Sequence, residues 1–134
     1  MIEIAGLDHI VLRTTRMDEM LHFYSTVLGC PVERELSPEF GLVQLRAGSA
    51  LIDLVAVDSE LGRAGGGPPT EGNNNMDHFC LQVKSLPEDV ISRYLKSHDI
   101  EVGPFERRYG AQCFGNSVYL RDPEGNIVEL RNRV

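Results

Sequence analysis

Leu7-Asp8-His9-Ile10-Val11-Leu12 and Met76-Asp77-His78-Phe79-Cys80-Leu81 are one phrase written twice. Each is an apolar run interrupted by an Asp-His pair. Further along each copy, Ala50-Leu51-Ile52-Asp53-Leu54 returns as Asn126-Ile127-Val128-Glu129-Leu130, an apolar strand broken by a carboxylate. The order histidine then carboxylate therefore runs twice, with a few residues added inside the second copy. Two copies sharing one fold is the economical reading, because a unit of about 65 residues buries little of its surface alone.

Outward from these phrases the two copies keep the same plan. The first opens with a strand over Gly6 to Arg13. Thr15 stands as an N-cap with Asp18 three residues on, and Met17, Met20, Leu21, Tyr24 and Leu28 follow at helical spacing. Gly29 ends that helix and Pro31 prevents its continuation. Strands are expected at Val32 to Leu36, Leu42 to Arg46 and Ala50 to Val57, with Ala47-Gly48-Ser49 as a hairpin turn. The second copy has a strand over Met76 to Val83, a capping box at Ser85 and Glu88, and a helix with Val90, Ile91, Tyr94 and Leu95 on its apolar face. Strands follow at Val102 to Arg107, Ser117 to Arg121 and Asn126 to Arg131. Asp122-Pro123-Glu124-Gly125 makes a turn whose glycine takes positive φ. The spacing predicts an α+β chain of two βαβββ modules within residues 1–134, about 6–60 and 76–132, joined by a Gly/Pro/Asn-rich linker over 62–75.

Composition narrows the function. A chain of 134 residues with ordinary apolar and charged fractions reads as a globular domain. A formal charge of −7 argues against general nucleic-acid or anionic-membrane binding, but not against a small anion held by a local arginine. No apolar run approaches the roughly 20 residues that span a bilayer. The N-terminus lacks a basic segment followed by an apolar one, so no signal peptide is expected. Three cysteines without CxxC spacing fit free thiols in a reducing cytoplasm.

The chemistry concentrates in the repeat. Side chains alternate along a strand, so His9 shares a face with Val11 and Arg13, and His78 with Cys80 and Gln82. Asp53 shares one with Leu51 and Val55, and Glu129 with Ile127 and Arg131. If equivalent strands meet about a pseudo-two-fold axis, His9, Asp53, His78 and Glu129 converge as ligands for one divalent metal. Imidazole and carboxylate donors suit Zn, Fe, Ni, Mn or Co. The alternative for each is local: a strand histidine simply hydrogen-bonded in place, or an acid paired with a neighbour such as Arg131. Buried charge is costly unless it is paired or bound to metal, and the matched placement of two histidines and two acids favours the metal. Arg107 to Gln112 reads as a polar loop in which Arg108 could recognise a substrate carboxylate or phosphate and Tyr109 could cover the site. Cys80 lies near His78 and lines the same cavity, as a buried thiol rather than a nucleophile. His22 is expected to be solvated, and His98 to serve a helix C-terminus.

At these residues the chain resembles the vicinal oxygen chelate superfamily, which includes glyoxalase I, fosfomycin- and bleomycin-resistance proteins, extradiol dioxygenases and methylmalonyl-CoA epimerase. The resemblance rests on Leu7-Asp8-His9-Ile10, Phe23-Tyr24-Ser25-Thr26-Val27-Leu28-Gly29, Met76-Asp77-His78 and Asp122-Pro123-Glu124-Gly125-Asn126-Ile127-Val128-Glu129-Leu130. It implies paired βαβββ modules curling into a cup-shaped partial barrel, a divalent metal in the cup, and a substrate that chelates the metal through two adjacent oxygens. It also implies a homodimer, often with each site shared between subunits. The family's histidines map onto His9 and His78 and its last-strand glutamate onto Glu129. The chain departs at the fourth ligand, where Asp53 stands for a glutamate and is one methylene shorter.

Three functions follow as expectations. The first is a glyoxalase-like metal-dependent enzyme on a small molecule, with isomerase, lyase or transferase chemistry. Glu129 and Asp53 would be its catalytic acids, and Arg13, Cys80, Arg108 and Tyr109 its substrate-binding residues. A small non-haem iron extradiol dioxygenase is its variant. The second is a metal-free drug-binding protein of the bleomycin-resistance kind. The third is an interaction module in which His9 pairs directly with Asp53 or Glu129.

Overall fold

The computed structural model describes residues 1–70, 72 and 74–133. The chain divides into two compact units, 1–73 and 74–134. The first unit contains β1 (His9–Thr14), α1 (Met17–Leu21), a π-helical segment (His22–Val27), β2 (Val32–Glu35), β3 (Leu42–Ala47), β4 (Ala50–Ala56) and α2 (Glu60–Ala64). The second contains β5 (Phe79–Lys84), α3 (Glu88–Ser97), β6 (Glu106–Gly110), β7 (Cys113–Arg121) and β8 (Ile127–Arg133). Each unit holds one four-stranded mixed sheet, ordered β1-β4-β3-β2 and β5-β8-β7-β6. The fold is therefore α+β, and the βαβββ plan recurs strand for strand.

Each sheet has one apolar face and one chemically mixed face. In the first unit, β1 runs parallel to β4 with Leu12 beside Leu54, and β3 runs antiparallel with Leu45 beside Ile52. These residues are buried with Met20, Phe23, Tyr24 and Val27 of the helical run. Each fully buried aliphatic or aromatic side chain there contributes about 1.5–3 kcal/mol. In the second unit Leu81, Leu130 and Val118 stand abreast, as do Phe79, Val128 and Leu120. Alternation sends Asp53 and Glu129 to the opposite faces of their strands.

Both glycines expected to end structure do so, with φ +78° at Gly29 and +94° at Gly125. Several local expectations are corrected. The first helix changes to π winding after Leu21, with Leu28 N–H donating to Phe23 O, and its N-cap is Arg16 with no side-chain capping bond. The capping box at Ser85 and Glu88 does not form. Pro87 is the N-cap of α3, and the Glu88 carboxylate instead accepts from Asn116 at 2.7 Å. Of α3's expected apolar face, Ile91 and Leu95 are buried while Val90 and Tyr94 are largely exposed. The expected linker begins with structure, since α2 occupies 60–64, capped by Ser59 Oγ accepting from Gly62 N. Glu71 and Asn73 of that linker lie outside the described residues. The polar stretch 107–112 is not a loop but β6 and a tight turn into β7.

Candidate metal and substrate site

In the first unit, a row of side chains crosses the sheet on the face opposite the core. Val11, Asp53, Gln44 and Arg34 stand abreast on β1, β4, β3 and β2. Asp53 is 4% exposed. Its Oδ2 accepts from Gln44 Nε2 at 3.1 Å, and Gln44 Oε1 accepts from Arg34 Nη1 at 3.1 Å. The amide is thereby oriented by a cation at one end and an anion at the other. Asp53 Oδ1 is buried and has no hydrogen-bond partner among the described residues. A buried carboxylate oxygen left this way is unfavourable unless something positive completes it. His9 is exposed on the same face, and its Nδ1 lies 2.6 Å from Asp8 Oδ1. The hydrogen bond to Asp8 raises the imidazole pKa above its usual value. Slight desolvation opposes the rise, and the negative charge of Asp53 adds to it.

The second unit repeats this arrangement with different atoms. His78 Nδ1 lies 2.6 Å from Asp77 Oδ2, as His9 does from Asp8. His78 Nε2 is 3.8 Å from Glu129 Oε2, and its ring packs edge-on to Tyr119 with centroids 5.3 Å apart. Cys80, Glu129 and Tyr119 stand abreast on β5, β8 and β7. Glu129 is 7% exposed, and its Oε1 accepts from Ser117 Oγ at 2.7 Å. Ser117 is itself the acceptor for Arg108 Nη1, through its Oγ at 3.0 Å and its carbonyl at 2.7 Å. A guanidinium on the outer strand, a neutral polar side chain on the third and a carboxylate on the second thus form a chain in each unit. The members are Arg34, Gln44 and Asp53 in one, and Arg108, Ser117 and Glu129 in the other.

These contacts fix the protonation of the second chain. Burial pushes the Glu129 carboxyl up, but the hydrogen bonds from Ser117 and Cys80 and the charges of His78 and Arg108 outweigh it, and the net shift is downward. Cys80, expected to be buried, is exposed by surface area; partial desolvation first, then its interaction with Glu129 and that carboxylate's charge, push its thiol up to about 12. Glu129 is therefore an anion at neutral pH and Cys80 a neutral thiol beside it.

The remaining candidates fall in distinct places. Arg13 Nη1 donates to the carbonyls of Gly65 and Gly67 at 2.7 and 2.8 Å, fastening the segment after α2. Arg108 lies over the Tyr119 ring at 4.3 Å and also meets Glu106 at 3.0 Å. Tyr109 points to the other face of β6, 71% exposed, against Phe114. His22 is exposed, and His98 caps α3 with its ring against Tyr94. Neither Asp53 nor Glu129 pairs with Arg131 among the described residues. Arg131 Nη2 donates instead to the carbonyls of Arg108 and Cys113. Sequence reasoning passed over Arg131 as a site residue. Its signal was an arginine inside an otherwise apolar strand, facing the same way as Glu129.

Each unit supplies one imidazole whose Nδ1 is held by the preceding aspartate, which leaves Nε2 to act. An outer carboxylate on the far nitrogen is the usual support of a metal-ligating histidine. Imidazole nitrogen and carboxylate oxygen, the donor types that each unit presents, are those a borderline divalent cation takes. Among the described residues, no three His, Cys, Asp or Glu side chains are grouped to hold a metal. No helix among them is long and apolar enough to cross a membrane.

The chain belongs to the Glyoxalase/Bleomycin resistance protein/Dioxygenase superfamily, whose family model matches residues 6–130. Virulence protein STM3117 of Salmonella typhimurium is 30% identical over 132 residues, covering 98% of this chain and 86% of that protein. Biphenyl-2,3-diol 1,2-dioxygenase 3 of Rhodococcus globerulus is 30% identical over 128 residues, and the match spans 93% of this chain but 62% of the dioxygenase. Among solved structures, lactoylglutathione lyase from Agrobacterium tumefaciens superposes with a TM-score of 0.71 at 26% identity, covering 97% of this chain and 95% of that one.

Proposed function

We propose that this protein is a glyoxalase-like, metal-dependent enzyme that acts on a small molecule presenting two neighbouring oxygens. The observation that carries the reading is the buried, unsatisfied Oδ1 of Asp53, on the same sheet face as a histidine whose other nitrogen is already occupied. His9, Asp53, His78 and Glu129 are the residues that would hold the cation, the two pairs being contributed by one chain or by two copies of it. When bound, a Zn, Ni, Mn, Co or Fe ion would supply Lewis-acid polarisation of the substrate oxygens.

The chain's own residues then divide the work. Ser117 and Arg108 hold Glu129 anionic, which suits it to a positive partner. Asp53, whose carboxylate accepts one side-chain hydrogen bond among the described residues, is the acid suited to take a substrate proton. Cys80, kept protonated, contributes shape and one donor rather than a nucleophile. Isomerase, lyase or transferase chemistry on a proton-bearing carbon is consistent with these roles. The dioxygenase relative favours a second reading, in which two histidines and one carboxylate hold iron.

Metal content by elemental mass spectrometry tests the proposal, on wild type and His78→Ala purified without added metal. Near-stoichiometric metal in wild type that is lost in the variant is expected, and iron as the metal would select the second reading. No retained metal after reconstitution with Fe, Mn, Ni, Co and Zn would overturn both, in favour of a metal-free drug-binding protein.

A further inference from the structure

The second unit contains a cavity of about 300 Å³ at the end of its mixed face, where β5, β7 and β8 meet. Arg131 forms part of its wall together with Gln82, Gln112 and Arg133, and no acidic residue among the described residues lines it. Arg131 is 5% exposed, yet its guanidinium meets no carboxylate among the described residues. Nη2 is spent on two backbone carbonyls, while Nε and Nη1 donate to nothing among the described residues.

The neighbouring sequence makes room for this cation. A Cβ on Gly110 would come within 2.9 Å of Arg131 Cζ and Nη1, and one on Gly115 within 3.1 Å of Nη2. The β6–β7 hairpin therefore carries glycines where the guanidinium lies on it. The carbonyls of Arg108 and Cys113 hold it from one end, which fixes the group without neutralising it. A buried cation is costly unless an anion or several dipoles complete it. Two carbonyls supply part of that, and the cavity leaves space for the rest.

We infer that Arg131 and its cavity form an oxyanion subsite, which takes the carboxylate or phosphate head of a small molecule. Resting on the metal-enzyme reading above, it sets the substrate class. Arg131 is two residues beyond Glu129 on the same face of β8, a spacing of roughly 7 Å. The substrate would carry an anionic group about that far from the oxygens handled at Glu129. In a chain of net charge −7, this wall is a local reversal of sign that an anion needs in order to settle.

Arg131 also pins a hairpin, so its own removal would confuse binding with folding. The informative change is Gln82→Glu. Gln82 lies beside Arg131 in register and lines the cavity, so the new carboxylate would become a resident counterion. Gln112→Glu repeats the test from the other side of the cavity. The probes are inorganic phosphate, methylphosphonate and propionate, added to full-length protein in excess chelator, with sodium chloride at matched ionic strength as control. The readout is the Arg131 Nε–H resonance. A saturable shift is expected, half-complete in the low millimolar range. It should weaken about tenfold or more in both variants, which should melt no lower than wild type. Preference for propionate would mark a carboxylate-bearing substrate, and preference for phosphate or methylphosphonate a phosphoryl-bearing one. No saturable shift beyond the chloride control with any probe, or an undiminished shift in both variants, would overturn the subsite. Because the metal is chelated throughout, failure of the metal reading leaves this result unchanged.

Discussion

Ser117→Ala isolates the hydrogen bond that keeps Glu129 charged. Ser117 is fully buried, and its hydroxyl links the Arg108 guanidinium to Glu129 Oε1 by hydrogen bonds. Alanine fits the same space, so the loss is chemical rather than steric. A hydrogen bond to a buried carboxylate is worth about 1.5–3 kcal/mol, and Arg108 keeps its bond to the residue 117 carbonyl, so the lower half of that range applies. At roughly 4 °C per kcal/mol for a chain of this size, the melting point should fall by about 6–9 °C at pH 7. The pH dependence carries the sharper test. Glu129 has a lowered pKa in the folded protein, so its stabilisation is fully present above the unfolded carboxylate pKa of 4.5. It is lost as pH falls through the lower folded value. The deficit of Ser117→Ala should therefore be largest at neutral pH and shrink on acidification below about 4.5. Urea denaturation at pH 7 and pH 4 measures both. A deficit under about 0.5 kcal/mol at pH 7, or one that grows on acidification, would refute the charge-holding role.

Other changes probe the remaining links. Asp53→Asn removes a buried charge with one unsatisfied oxygen, so in chelator the variant should melt at or above wild type, while stabilisation by added divalent metal disappears. Cys80 should alkylate slowly. With its thiol pushed up to about 12 rather than 9, its thiolate fraction at pH 8 is about a thousandfold below that of an ordinary cysteine. Peptide-resolved iodoacetamide kinetics should show Cys113 reacting first and Cys80 accelerating in Glu129→Gln. Arg13→Ala releases the carbonyls of Gly65 and Gly67, so limited proteolysis within 62–70 should become faster, with a stability loss of about 1 kcal/mol.

The strands were legible because they rest on alternation, although the one expected at Val102 to Arg107 lies at Glu106–Gly110. His9, Asp53, His78 and Glu129 each interrupt an apolar run, and a period of two assigns them to a face without knowledge of the rest. Gly29 and Gly125 were legible because a positive φ has few other occupants. What escaped depends on neighbours distant in sequence. Phe23, Tyr24 and Val27 suit α and π winding equally, so the change after Leu21 left no mark. Glu88 was drawn from its own helix to Asn116, a partner no local motif can name. The stretch 107–110 read as loop because it is polar, whereas an edge strand bonded to only one neighbour tolerates that composition. Arg131 escaped because its partners are carbonyls, which every residue has, and because Gly110 and Gly115 explain themselves only once a guanidinium lies on them.

The repeated arginine-to-acid chains give the two units different electrostatics on one plan. In the second, the intermediary is a hydroxyl that accepts from Arg108 while donating its own proton to Glu129. In the first, the intermediary is an amide whose single donation to Asp53 leaves the second oxygen bare. Duplicated carboxylates in equal surroundings would compete for one role. Unequal surroundings separate them: Ser117, His78 and Arg108 lie around Glu129, whereas Asp53 keeps a buried oxygen without a partner among the described residues, and such a difference is how a site gives two acids different parts. On that argument Gln44→Leu and Ser117→Ala, at matching links of the two chains though at different register positions, should not have equivalent consequences. Ser117→Ala should act chiefly on the affinity for the cation, by loosening Glu129. Gln44→Leu should act chiefly on turnover, by stripping Asp53 of the side-chain donor that orients it. Metal affinity and turnover at saturating metal, measured on both variants, separate the two roles. Equal effects of both variants on both quantities would return the two acids to a single, symmetric part.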